Sequence, residues 1–196
     1  YLNALHNDNI KIIVVIGPAG TGKTFMGCNY GFQNFQENYY SKLVITRPVV
    51  SNDEEIGFLP GTLESKMAPW LKPITDVFEK TMHKTQIENL MTDNSIEVCP
   101  LAFMRGRTFD STFIFADEMQ NSTISQMKML LTRIGNESKL IITGDLLQND
   151  LKNQVNGLED LIHRLHINCP KSISIIKFNN DDIERSEIVK DVLSLY

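Results

Sequence analysis

The sequence predicts an α/β fold, a parallel sheet with helices on both faces, and three observations carry that expectation. Six short strand-like runs recur between helical stretches. The strongest of them is continuously apolar, as in a strand covered on both faces, where a half-exposed strand would alternate. The composition, 42% hydrophobic and 22% charged, is that of an ordinary globular chain and excludes wholesale disorder and coiled coil. A length of 196 residues points to a single domain over 1–196. A chain of this size buries about 70% of its unfolded surface and needs no disulfide or metal to hold it.

The elements follow in order. Lys11 to Ile16 (KIIVVI) is the strongest apolar run, and a helix is expected after Lys23. Ser41 to Pro48 and Ser95 to Pro100 are the next strands, with a helical region over Thr62 to His83 between them. Pro69 and Pro73 divide that region, because an internal proline removes a hydrogen bond and clashes with the preceding turn. Thr112 to Asp117 leads to a helix over Ile124 to Ile134, opened by the capping box Thr123-x-x-Gln126. Lys139 to Asp145 and Ser172 to Phe178 complete the strands, and a last helix runs from Ser186. Repeats, low-complexity tracts and linkers are absent, so the expected architecture is one doubly wound domain.

Nineteen basic against twenty-four acidic residues give a net charge of −5, which argues against gripping nucleic acid by bulk charge and leaves room for a local basic groove. The run Ile12 to Ile16 is too short to span a bilayer, and no signal peptide stands at the visible start. Cys28, Cys99 and Cys169 are widely spaced, with no C-x-x-C and no histidine at zinc-ligand spacing. Reduced thiols and a cytoplasmic setting are the expectation.

Chemistry enters directly after the first strand. Gly17-Pro18-Ala19-Gly20-Thr21-Gly22-Lys23-Thr24 fits G-x-x-x-x-G-K-[ST], the P-loop of nucleoside triphosphate-binding domains. Its glycines let successive N–H groups turn inward as an anion nest at a helix N-terminus. Lys23 can reach the β- and γ-phosphates, and the Thr24 hydroxyl would ligate Mg2+.

A P-loop alone does not separate a kinase, a switch GTPase and an ATPase. Phe113 to Glu118 (FIFADE) is an apolar strand ending in two carboxylates. Asp117 is assigned to the metal and Glu118 to the general base that polarises the attacking water. Thr143-Gly144-Asp145-Leu-Leu-Gln148 follows another apolar strand, whose carboxyl end would face the same crevice. Gln148 there could bond the γ-phosphate or the lytic water, and a simple turn capped by Asp145 is an equal reading of the motif.

Taken together these residues resemble the PhoH family of phosphate-starvation-inducible P-loop ATPases. The resemblance runs through IGPAGTGKT, ITRPVV at Ile45 to Val50, GFLPG at Gly57 to Gly61, PLAFMRGRTF at Pro100 to Phe109, FADEMQN at Phe115 to Asn121, MKMLLTRIG at Met127 to Gly135 and ITGDLLQNDL at Ile142 to Leu151. It implies a RecA-like core related to superfamily 1 helicases, ATP binding, hydrolysis, and a link to RNA metabolism. The chain departs from the family pattern at Met119, where Ala is usual, and at Arg185-Ser186-Glu187, where the family carries Arg-His-Pro.

A single motor domain often receives a charge-neutralising arginine from a neighbouring subunit, worth roughly 10³- to 10⁵-fold in rate. The candidates are Arg47, Arg105, Arg107, Arg133 and Arg185, with Arg185 favoured by family position. A finger supplied in trans implies a homo-oligomer, a head-to-tail ring of hexameric type. For RNA or single-stranded nucleic acid, the candidate contacts are Arg105 and Arg107 beside Phe103 and Phe109, with Arg47 on the second strand. Two other readings stay open: a small P-loop kinase, and a nucleotide-gated assembly module with little hydrolysis.

Overall fold

The computed structural model describes residues 1–48, 72, 74–150 and 155–184. Runs rich in Ile, Val, Leu and Phe form the strands β1 (Ile12–Ile16), β2 (Lys42–Thr46), β3 (Ile96–Val98), β4 (Thr112–Ala116), β5 (Lys139–Gly144) and β6 (Ile173–Lys177). They pair in parallel into a six-stranded sheet of order β3-β2-β4-β5-β1-β6. Each of the six expected strands is present, trimmed by a residue or two at its ends.

The side-chain period of two sends alternate residues to opposite cores. Ile13, Val15, Phe113 and Phe115 pack with Cys28, Tyr30 and Phe32 of α2 (Lys23–Gln36) on one face. Val14, Ile114 and Ile142 pack on the other face against α4 (Ile124–Leu131) and α5 (Gly157–Ile167). The capping box of α4 forms as expected: Gln126 N–H donates to Thr123 Oγ1 at 3.2 Å, and Thr123 N–H to Gln126 Oε1 at 2.8 Å. The helix ends at Leu131, sooner than the expected Ile134, where Arg133 folds back to donate to the Met129 carbonyl.

Three helices were not expected from the sequence: α1 (Leu2–Leu5), α3 (Lys84–Thr92) and α5. The first is held to the sheet by Lys139, whose buried ammonium donates to the carbonyls of Leu5 and Asn7. Of the helical region expected over 62–83, the stretch 74–78 is helical, and 62–71 lie outside the described residues with Pro69 and Pro73. The helix from Ser186 also lies outside them. Cys28 and Cys99 are buried and Cys169 is exposed, all as free thiols. Among the described residues no helix is long and apolar enough to cross a membrane.

For the site, register matters most. Ile16 is level with Gly144, Ala116 with Ile142, and Thr46 with Ala116. The segments beginning at Gly17, Arg47, Asp117 and Asp145 therefore leave the sheet along one carboxyl edge.

Candidate nucleotide site

The P-loop spans the gap between β1 and α2. Gly22 caps α2 in the left-handed region, with φ of 77°, a conformation glycine adopts without steric cost. A side chain at Gly17 would meet Phe178 at 2.7 Å, so the loop lies flush against the residue that follows β6. The segment after β6 closes on the loop a second time, where Glu184 N–H donates to the Gly20 carbonyl at 3.1 Å.

Lys23 donates its ammonium hydrogens to the carbonyls of Gly17 and Pro18, both at 2.7 Å, which holds the charge across the mouth of the loop. Burial pulls its pKa below the ordinary lysine value, opposed by the negative charges of Asp145, Glu118 and Asp117. Next in sequence, Thr24 Oγ1 stands 3.5 Å from both carboxylate oxygens of Asp117, the long limit for such a bond. Asp117 also accepts a short hydrogen bond from Thr143 Oγ1 on β5. Burial raises the Asp117 carboxyl above the usual carboxylate range; the Thr143 hydrogen bond works the other way, Glu118 adds to the rise, and Arg47 opposes it.

Glu118 occupies the left-handed region at φ 54° and ψ 37°. A non-glycine residue pays about 1–2 kcal/mol to stand there, and such strain concentrates at functional sites. The turn starts the short 3₁₀ helix Met119–Asn121 and brings Glu118 into the same cleft as Asp117. Asp145 caps the turn that follows β5, its Oδ1 accepting from Leu147 N–H at 3.0 Å. That turn brings Gln148 to the cleft, so the capping role and the cleft-facing role of this motif coexist.

Lys23, Thr24, Asp117, Glu118 and Gln148 all line one cleft of about 270 Å3, together with Ala19, Gly20, Gly22, Phe25, Gly144 and Asp145. The lining is polar and the volume lies at the low end for ligand pockets, proportions that suit phosphate groups. Among the described residues Lys23 is the only basic side chain lining it. Of the expected loop residues, Thr21 is buried and donates to the Pro18 carbonyl at 2.9 Å, a role in loop shape.

One residue of the cleft, and one bonded to its lining, had no expected role. Phe25 is 44% exposed and lies beneath the Lys80 ammonium, 4.5 Å from its ring centroid. Gln120 is 1% exposed and bonds to Glu118. Its only signal in the sequence was its place in FADEMQN.

The arginines separate sharply. Arg107 makes a bidentate pair with Glu97, at 2.5 and 2.7 Å, and stacks over Phe109, which is buried. Arg133 donates to the Met129 and Arg107 carbonyls and to the Thr132 hydroxyl. Arg105 is exposed, two residues from Phe103, itself 59% exposed. Arg47 follows β2 directly, close enough for its charge to act on Asp117. Arg185 lies outside the described residues, immediately after Glu184.

A parallel sheet with a P-loop after β1 and carboxylates after β4, separated by β5, defines a P-loop NTPase domain of RecA-like type. Within that class the chain belongs to the PhoH-like protein family, whose model matches residues 1–196. It is 39% identical over 197 residues to a PhoH-like protein of Synechocystis and 38% identical over 197 residues to one of Bacillus subtilis. Protein PhoH of Escherichia coli K12 is 34% identical over 199 residues. Each alignment covers 100% of this chain but 59%, 60% and 55% of these relatives respectively. The chain thus spans little more than half the length of the curated relatives it matches.

Proposed function

We propose that this chain is a cytoplasmic Mg2+-dependent ATPase domain that applies the free energy of hydrolysis to RNA or single-stranded nucleic acid. The observation that carries the reading is the convergence of Lys23, Asp117, Glu118 and Gln148 on one polar cleft. In this reading the N–H groups of Gly20 to Thr24 and the Lys23 ammonium bind the phosphates. Glu118 takes a proton from the attacking water, and Gln148 orients that water against the γ-phosphate. A water-activating carboxylate beside the metal acid favours hydrolysis over transfer to a small acceptor.

The residues present fit Mg2+. Thr24 and Asp117 offer hard oxygen donors 3.5 Å apart on a partly buried floor, and Mg2+ takes such oxygens with phosphates and waters completing its shell. When bound it would neutralise charge on the β- and γ-phosphates.

Lys23 is the lone basic side chain in the described cleft, so further positive charge for the transition state has to come from elsewhere. Arg185, favoured by family position, is the candidate finger, supplied by a neighbouring subunit of a hexameric ring. On the nucleic-acid side, exposed Phe103 and Arg105 provide a ring for stacking and a charge for phosphate, with Arg47 as a further contact. Arg107 supports this turn through Glu97.

The test is phosphate release from ATP by wild type and Lys23→Ala, with and without single-stranded RNA, beside light scattering with and without ATP. Lys23→Ala is expected to lose roughly 10²- to 10³-fold in kcat/KM. RNA stimulation supports the motor reading, and phosphate transfer to a small acceptor would replace it with a kinase. A particle that stays monomeric throughout would remove the ring.

A further inference from the structure

We propose that Gln120 is a positioning residue that couples the carboxylate of Glu118 to the Asp145–Gln148 turn. This rests on the reading of Glu118 as the base of ATP hydrolysis. Gln120 is 1% exposed, and both the nitrogen and the oxygen of its amide are hydrogen-bonded. Its Nε2 donates to Glu118 Oε2 at 2.6 Å and to the Gln148 carbonyl at 3.2 Å. Its Oε1 accepts from Asp145 N–H at 3.1 Å.

This set of partners fixes the amide's orientation. Turned over, it would aim an oxygen at a carboxylate and a carbonyl, and an N–H at an N–H. Two of the three bonds go to backbone of the turn that carries Gln148, and the third goes to the Glu118 side chain. Backbone shape around the amide is equally specific. A Cβ at position 144 would stand 2.8 Å from Gln120 Oε1 and 2.5 Å from Leu158 Cδ2, so Gly144 leaves the space in which the amide lies.

The consequence is mechanical. Gln148 and Glu118 both line the cleft but sit on segments that follow different strands, β5 and β4. Gln120 bridges those segments directly, beside a second bond between them from Asp150 N–H to Asn121 Oδ1 at 3.0 Å. A displacement of the turn, as Gln148 engages the terminal phosphate, is carried through one rigid amide to the carboxylate that must meet the water. A misplacement of about 1 Å in such a group can cost on the order of 10²-fold in rate.

The experiment is a double-mutant cycle on ATP turnover and ATP binding, with Glu118→Gln, Gln120→Glu and their combination. Gln120→Glu retains size and the acceptor for Asp145 N–H but replaces both donors with a charge that repels Glu118. The expected result is a kcat lowered roughly 10- to 100-fold with ATP affinity within about twofold of wild type. The loss should vanish in the Glu118→Gln background, because the residue acts through Glu118. Gln120→Met, neutral and similar in volume, repeats the cycle should the charged variant fail to fold. Wild-type kcat in both variants, or the same loss repeated without Glu118, overturns the positioning role alone. A wild type without ATP turnover, or a Glu118→Gln protein as active as wild type, overturns the base assignment and this inference with it.

Discussion

Thr143, on the strand inserted between the P-loop strand and the acidic strand, donates its hydroxyl hydrogen to Asp117 at the end of β4. The contact follows from register, since Ile142 of β5 lies level with Ala116 and the next residue on each strand turns to the cleft edge. The hydroxyl therefore fixes the rotamer of the carboxylate that faces Thr24.

Removing that hydroxyl should act on metal use. Thr143→Val keeps the branched shape and leaves one Asp117 oxygen without its partner. The expected outcome is a roughly 10-fold rise in the Mg2+ concentration needed for half-maximal ATP turnover, in line with losses seen when a ligand's supporting hydrogen bond is deleted. Thr143→Ser should retain the wild-type requirement, and a magnesium titration of the three proteins measures it.

The Arg107–Glu97 pair gives the fold an acid-sensitive bond. Hydrogen bonds from Arg107, assisted by Lys42 at 2.6 Å, hold the Glu97 carboxyl at about 2, below its ordinary 4.5. A depressed carboxyl pKa stabilises the folded state fully above the ordinary value and loses that contribution as pH falls from about 4.5 toward 2. Glu97→Gln should cost about 1.5–3 kcal/mol at neutral pH. Its melting temperature should then fall less steeply than that of wild type between pH 4.5 and 2, as thermal melts across that range would record.

Helix α2 lies against β4 through glycine. A Cβ at Gly31 would stand 2.2 Å from the Phe113 ring, and one at Gly27 would stand 2.6 Å from Phe115. These contacts seat the helix that carries Lys23 and Thr24. Gly31→Ala gains helix propensity but must displace a fully buried ring, and overpacking of this kind costs about 1–3 kcal/mol. Urea unfolding of the variant should show that loss, with the m-value unchanged.

Much of this was legible in the sequence because the signals were local. The P-loop, the carboxylates ending an apolar strand, and the Thr123–Gln126 box each lie within eight consecutive residues, and all appear where their patterns put them. What stayed hidden depends on residues far apart in the chain. That Gly31 makes room for Phe113 requires knowing which face of α2 meets β4. That Arg107 belongs to Glu97 depends on the turn after β3 folding back over its own strand. Gln120 reads as one more polar residue in a turn until β5 brings Asp145 and Gln148 to it. Phe103 and Phe109, similar in composition terms, divide because Phe109 joins the core and Phe103 does not.

That division makes the proposed nucleic-acid surface small and testable. Phe103→Ala should weaken binding of single-stranded RNA by about 1–3 kcal/mol, the usual worth of a stacked base. Arg105→Ala should weaken it across sequences and lower the salt dependence by about one phosphate contact. Fluorescence anisotropy over a range of salt concentrations separates the two effects. Unchanged affinity in both variants would move the RNA contact away from this turn.

The most direct test of the central claim pairs ATP binding with phosphate release in Glu118→Gln. The substitution retains the size and hydrogen-bonding reach of the side chain and removes its capacity to take a proton. If this cleft hydrolyses ATP with Glu118 as the base, the variant binds ATP as wild type does and releases phosphate at least roughly 10²-fold more slowly. Phosphate release at the wild-type rate by that variant would contradict the account.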